Sequence, residues 1–587
     1  MCNKYVNCVC LFLGSFIVTY AQINIKFPVP RIVFQRNNAN QSTFLIYGTY
    51  TQTADLIEAR VVPVVTGQGT ATSWTTIATN PTNGIFKGKL LATGGWYNLE
   101  VRSKLAGNIV ETATLSKFGI GEVFIVSGQS NAEGNAIYTG ATIGATDDRV
   151  SCVDSSLFFL DEERLPFAFT QMANESKMAP LHHVPYFWSR LGDLLAVQLN
   201  VPVLFYGAAI GGTASSVWSR TANGEDLRNI EPFFVKVPGN TYRAIKAAIQ
   251  QFALRTGLRS ILWMQGESDT NTPTQQYFDN VNTIIQQSRK DSRNSTLAWV
   301  IARTGTNPGG NQPRDAQNRL GTELPNVFLG PVTDDLQGTV NRENGHFAGQ
   351  GLINVANMWK DQLTNISFFS SSTPVLPDLP ITTTCQALPS LVHPATAIYA
   401  LPGSKILNFN LSQNFQMGAA SAGYSYAYIT TRVSDDVILN ISTSSPNLTN
   451  SSTYPAQQYF IRGIHYANSV NINSFIGGTF ANLQTQISNG SICAALSSNL
   501  VSVFLKSNLC PDQEFTRSGD AQAGTWVPIF IESNQKIYST EKVIPNSRVF
   551  YDSDKAVILQ PGFRVDAGAI FIAVPDGCGG IANFYNF

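Results

Sequence analysis

The 587-residue sequence carries 39 basic and 39 acidic residues, and only 13% of it is charged, a balance that supplies no basic footprint for nucleic acid or for an anionic membrane surface. The length exceeds what one hydrophobic core can serve, so three or four domains are expected. Aromatic residues at 11%, with abundant Gly, Thr, Ser and Asn, point to much β structure and to polar surfaces suited to carbohydrate.

At the start, Lys4 precedes the apolar run Val9–Val18, and Ala21 offers a small residue for cleavage before Gln22. Residues 1–21 read as a secretory signal peptide, too short to span a membrane, and no later run reaches spanning length. The mature protein is therefore expected to be secreted or held at the cell surface. Residues 22–118 alternate in short strands such as Thr43–Tyr47 and Trp96–Arg102, separated by Gly, Asn and Pro turns, which predicts a β-sandwich. Between 119 and 365, apolar β-branched runs alternate with helical stretches at about 186–199, 241–254, 274–289 and 350–363, the pattern of a parallel α/β domain. A Pro/Ser/Thr stretch at 366–384 reads as a linker. Residues 385–510 are again strand-rich, and 511–587 form a C-terminal β module. Its run Ala556–Phe571 resembles a small repeat-like module at the ends of secreted proteins from Bacteroidetes-type bacteria, which implies a bacterial source. The C-terminal third is expected to bind glycan, to attach the enzyme to a surface, or only to space it.

Cys2, Cys8 and Cys10 leave with the signal peptide, and Cys152, Cys385, Cys493, Cys510 and Cys578 remain. The odd count leaves one thiol over. Cys152 is the expected free one, buried and inert, while the four C-terminal cysteines allow two disulfides in any of three connectivities. No cluster shows zinc-type spacing.

The strongest chemical signal lies where Val123–Val126 ends in Ser127-Gly128-Gln129-Ser130-Asn131-Ala132-Glu133-Gly134. A buried strand ending in Gly and a small polar residue presents a hydroxyl where α/β sheets bind ligands. The hydroxyl of Ser130 needs a base and donors for a developing oxyanion. Of five histidines, His182, His183 and His346 fall in the α/β stretch. The first two read as a loop before the helix at 186–199, whereas His346 follows Glu343 by three positions, close enough for the carboxylate to orient its imidazole. Two further strands end in Gly207-Ala208-Ala209-Ile210-Gly211-Gly212-Thr213 and in Gln265-Gly266-Glu267-Ser268-Asp269, which offer backbone N–H groups and an amide. Taken alone, Ser130 also fits a helix cap, and Gly211-Gly212 a tight turn.

Together the Gly-Gln-Ser-Asn-Ala, Ala-Ile-Gly-Gly-Thr, Trp-Met-Gln-Gly-Glu-Ser-Asp and Glu-x-x-His-Phe blocks resemble the sialate O-acetylesterase branch of the SGNH hydrolases. The resemblance implies a central three-layer α/β/α domain with a parallel sheet that deacetylates sugars through an acyl-enzyme, without metal or other cofactor. Ser130 would be the nucleophile, His346 the base, and Gly212 with Gln265 the oxyanion donors. The usual acid before the histidine is Asp, and here it is Glu343; Asp334 and Asp335 are rival orienters. Gln129, Asn131, Gly211, Glu267 and Asp269 are expected to fix the loops around the nucleophile or to touch substrate, and Trp218 to be a sugar-stacking wall or core. The expected partner is an O-acetylated carbohydrate, with sialic acid esters and acetylated polysaccharides such as xylan demanding the same chemistry. A non-catalytic glycan-binding adhesin is the rival from another class. A glycosidase would need a carboxylate pair at strand ends, and none stands out.

Overall fold

The computed structural model describes residues 23–574, apart from 82–83, 135–141, 156–166, 226, 228–240, 306–311, 378–397, 402–422, 433–434, 445–457, 489–490, 506–513, 522–528, 534, 546–547 and 554. The expected signal peptide and Cys385, Cys510 and Cys578 lie outside the described residues. Cys493 is disulfide-bonded. Cys152 is a buried free thiol, and burial pushes it up to about 12.

Two sheets face each other at the N-terminal end. One is antiparallel, of β1 (Asn24–Phe27), β3 (Gln41–Thr49) and β6 (Ile85–Thr93). The other joins β4 (Leu56–Pro63), β5 (Thr75–Thr79), β7 (Gly95–Leu105) and the first half of β8 (Asn108–Gly128), with β2 (Val33–Gln35) parallel to β8. Phe44, Ile46, Ile57, Val61, Leu99 and Val101 are buried between them.

The 21 residues of β8 then continue into the centre of the next domain without a break. Its first half alternates polar and apolar residues, as a strand with one wet face does, and pairs antiparallel with β7. From Phe118 onward every position is buried, and the strand pairs in parallel with β11 (Val203–Gly207) and β12 (Ser260–Met264). The boundary expected at 118/119 falls inside this strand. The change of pattern there marks a change of surroundings along one element.

The parallel part runs β9 (Val150–Cys152), β11, β8, β12, β13 (Ala298–Arg303), β14 (Val327–Val332), with β10 (Thr170–Gln171) antiparallel at the edge. Val123 and Ile125 pack with residues of α4 (Arg243–Ala247), α6 (Thr274–Asp291) and α7 (Gln312–Glu323). Phe124 and Val126 pack with α2 (Trp188–Leu199) and α8 (Gln350–Asn365) on the opposite face. Because β11 and β12 flank β8 on opposite sides, the winding reverses there, and such a switch point opens a crevice at the carboxyl ends of the strands.

Beneath the sheet, Glu122 is fully buried and accepts hydrogen bonds from Gln35 Nε2 (2.9 Å), Arg36 Nε (2.7 Å) and Arg259 Nε (2.8 Å). Burial alone would raise its carboxyl, but Arg259 and Arg36 more than reverse this and hold it below its ordinary value. Arg259 also donates to Asn38 Oδ1 at 2.6 Å, and Asn38 Nδ2 donates to the carbonyls of Ser370 and Ser372. The start of the expected linker is thus docked, with Val375 bridged to Leu258, because its carbonyls satisfy this buried cluster. Glu122→Gln should cost about 3–5 kcal/mol by leaving two guanidinium groups without a countercharge, read as a lowered urea midpoint.

Further along, β17 (Ile398–Leu401), β18 (Tyr424–Arg432), β19 (Ile438–Ser442), β20 (Gln458–Ala467) and β21 (Ala494–Leu505) form a five-stranded sheet whose core includes residues of the helix Phe480–Ser488. The last nine strands, from Phe515–Arg517 to Ile570–Val574, stack in parallel as three three-stranded sheets, the arrangement of a small β-solenoid. Ile537, Val543, Val549 and Tyr551 fill its core. No helix among the described residues is long and apolar enough to cross a membrane.

Candidate active site

Gly128 ends β8 with φ +133°, and a Cβ there would come within 2.0 Å of the Met264 carbonyl, so only glycine lets β8 and β12 stay this close at their tips. The chain then turns into the short helix α1 (Ser130–Glu133), which brings Ser130 out at the switch point. His346 reaches it from the far end of the domain. Arg342–Glu343 and His346–Phe347 form a two-residue ladder, β15 and β16, joined by Asn344 (φ 48°) and Gly345 (φ 80°). Two positive φ values on Asn-Gly are the signature of a tight hairpin turn.

Ser130 Oγ lies 2.9 Å from His346 Nε2, and His346 Nδ1 lies 2.9 Å from the carbonyl of Asn344. A carbonyl only accepts, so Nδ1 carries the proton and Nε2 is left to accept from the serine. Burial lowers the pKa of His346 from its ordinary value, offset by the Asn344 bond and reinforced by the nearby Arg342 guanidinium. The imidazole is therefore neutral, and able to take a proton, at neutral pH.

Asn131 clamps the hairpin on both sides of His346: its Nδ2 donates to the Gly345 carbonyl (3.2 Å) and its Oδ1 accepts from Phe347 N (3.2 Å). Its Nδ2 also donates to Glu267 Oε1 at 2.9 Å, and burial raises the Glu267 carboxyl more than this bond lowers it. Tyr186 Oη donates to the Phe347 carbonyl and Arg342 Nη1 to that of Gly345.

Glu343 stands directly opposite His346 in the hairpin, and the acceptor on Nδ1 is the Asn344 carbonyl. Asp334 is turned to the loop after β13, accepting from Gly305 N (3.0 Å) and Thr304 Oγ1 (3.3 Å). Asp335 sits beside it in the same short turn, Thr333–Asp335.

Gln265 departs from its expected role. Its Nε2 is surrounded by acceptors, the Asp269 carboxylate, the Thr213 carbonyl (3.0 Å) and Gln129 Oε1 (3.2 Å), and it is fully buried. Those acceptors fix which end of the amide carries the hydrogens, so Gln265 has no donor left for an oxyanion. Gln129 is oriented the other way. Its Oε1 accepts from Gly266 N (3.3 Å), Ser268 N (3.2 Å) and Gln265, which leaves Nε2 without a partner among the described residues, next to the nucleophile in sequence. The resemblance points to Gln265 for this donor, and local sequence does not show which way either amide faces.

Asp269 accepts from Ser215 N (2.8 Å) and Ser215 Oγ (2.7 Å), anchoring the start of α3 (Ser215–Ala222). Trp218 is fully buried against Trp263 and donates to Thr213 Oγ1, so it belongs to the core and offers no sugar-stacking face. Gly212 (φ 73°) is exposed, and its N–H makes no hydrogen bond among the described residues. His182 is buried and its Nε2 accepts from Ala209 N at 2.9 Å. Burial, with His183 adding to it, drops it to about 3, so it is a fixed neutral support of the 207–212 loop.

A polarised serine beside a neutral imidazole, with free donors on a strand-end loop, is the equipment of a hydrolase that attacks a carbonyl, and the protein is a carboxylic ester hydrolase. Residues 120–365 match the family of carbohydrate esterases described as sialic acid-specific acetylesterases. No curated protein matches the sequence. Among solved structures, a carbohydrate acetylesterase from Xanthomonas citri is similar at 14% identity and TM-score 0.38, covering 82% of this chain and 98% of that one. A protein from Arabidopsis thaliana is similar at 17% identity and TM-score 0.31, covering 42% and 98%. An acetyl xylan esterase from the rumen bacterium Butyrivibrio proteoclasticus is similar at 12% identity and TM-score 0.26, covering 60% and 100%.

Proposed function

We propose that the protein is an exported esterase that removes O-acetyl groups from carbohydrates through an acyl-enzyme on Ser130, within a three-layer α/β/α SGNH-type domain. The observation that carries this reading is the 2.9 Å approach of Ser130 Oγ to His346 Nε2 with the proton held on Nδ1. His346 takes the serine proton as Oγ attacks the acetyl carbonyl, then returns it to the departing sugar oxygen. The oxyanion is met by Gly212 N–H, by Ser130 N–H at the start of α1, and by Gln129 Nε2. A water deprotonated by His346 then releases acetate and frees Ser130. Export is supported by the apolar N-terminal run and by the disulfide at Cys493, a bond that persists in oxidising compartments.

The test is acetate release by residues 22–587 from acetylated xylan and from an O-acetylated sialoside. Release from either one is expected, and the faster of the two names the substrate class. No release from either by folded protein would favour a glycan-binding protein instead. Across pH, kcat/KM should fall on the acid side as His346 gains a proton, with its midpoint below 6.5 because the folded-state pKa is lowered. A full loss of kcat/KM, beyond a partial step of about tenfold, centred above 6.5 would remove His346 as the base.

A further inference from the structure

The loop after β11 hands its backbone N–H groups, one after another, to different acceptors. Ala208 N donates to the Val126 carbonyl (2.8 Å), Ala209 N to His182 Nε2 (2.9 Å), Ile210 N to the Gly128 carbonyl (3.0 Å) and Gly211 N to Glu133 Oε2 (2.6 Å). The next N–H, that of Gly212, is the one left exposed. Three of the four anchors are two carbonyls and an imidazole that stays neutral. The fourth, the anchor immediately before Gly212, is a carboxylate that titrates.

Glu133 follows Ser130 by three residues, on the same face of α1. A Cβ on Gly211 would lie 3.1 Å from Glu133 Oε2 and 3.4 Å from Ser130 Cβ, so the carboxylate, the loop and the nucleophile meet at one point. The mechanism above makes no use of Glu133.

We propose that Glu133 is a positioning residue of the esterase site: its carboxylate holds Gly211 N–H and so sets Gly212 N–H where the oxyanion of a Ser130 adduct forms. The inference rests on the Ser130 acyl-enzyme reading. A charged acceptor makes a shorter and stronger hydrogen bond than a neutral one, so the hold tightens when Glu133 ionises. Burial, opposed by the Gly211 N–H, pushes its carboxyl up to about 7, which places that change within the working range of an esterase. The other titratable groups on the elements packed against α1 are His346 on β16, Glu267 and Asp269 after β12, and Tyr186 before α2, while residues 207–212 bring none.

A neutral Glu133 loosens the hold without abolishing turnover, so turnover of 4-nitrophenyl acetate by the wild type should fall on the acid side in two stages, a partial step of about tenfold as Glu133 gains a proton and a full loss at lower pH as His346 gains its own. Glu133→Gln should lower kcat about tenfold at pH 8, leave KM within about twofold, and remove the partial step so that the His346 limb stands alone. Glu133→Asp, which keeps the charge, should stand closer to the wild type than Glu133→Gln does. Wild-type kcat and an unchanged limb in Glu133→Gln would overturn the proposal. Should that variant fail to fold, a wild-type acid limb without the partial step overturns it just as well. Ser130→Ala, run alongside, separates the two levels: turnover that survives there removes the acyl-enzyme reading and this inference with it.

Discussion

Ser130→Ala is expected to lower turnover of a small acetyl ester by at least about 1,000-fold while the melting temperature stays within about 2 °C of wild type. The large effect follows from the chemistry: without Oγ there is no atom for His346 to deprotonate and none to carry the acetyl group. The small stability change follows from the packing, since Ser130 is half-buried at a strand-end turn and its Oγ contacts the His346 ring, not the core. Steady-state kinetics with a thermal melt on the same sample checks both halves. Turnover within about tenfold of wild type would take the nucleophile away from Ser130.

The second large effect concerns the two glutamines, whose amides the hydrogen bonds orient in opposite directions. Gln129→Ala should lower kcat by about 100- to 1,000-fold with a much smaller change in KM, the mark of a donor that acts on the transition state. Gln265→Ala should instead show first in stability, because it strips a buried carboxylate, Asp269, of one donor and frees the Gln129 side chain it braces. Comparing kcat with melting temperature for both variants separates the roles. A 100-fold loss of kcat in Gln265→Ala at unchanged melting temperature, with Gln129→Ala near wild type, would return the oxyanion role to Gln265.

Much of this site can be read from local pattern. An apolar run ending in Gly-Gln-Ser-Asn places Ser130 on a strand end, and the scarcity of histidine singles out His346. What local pattern cannot carry is direction. Whether the amide of Gln129 or of Gln265 faces the site depends on where Thr213 and Asp269 lie after folding, and that is a matter of tertiary contact. Trp218 suits wall or core equally in sequence, and only the packing of its ring against Trp263 assigns it to the core. Glu343 is marked by its spacing from His346, and the Asn344-Gly345 turn between them is a second local signal, since it curls the imidazole back onto a carbonyl two residues earlier. The pattern change at 118 was visible in the sequence, but one strand crossing from a wet sheet face into a buried sheet produces the same change as a domain boundary.

The unbroken run of β8 means that the two N-terminal lobes are inherited together. A gene cut at codon 119 would separate Gly95 and Trp96 from their ladder partners Ile120 and Gly119 and leave the catalytic sheet starting in mid-strand. A recombination event that exchanged the sandwich would have to carry the nucleophile's own strand along with it. Shuffling of modules in such a chain is therefore confined to the region beyond Val375, where the solenoid can be traded without touching Ser130.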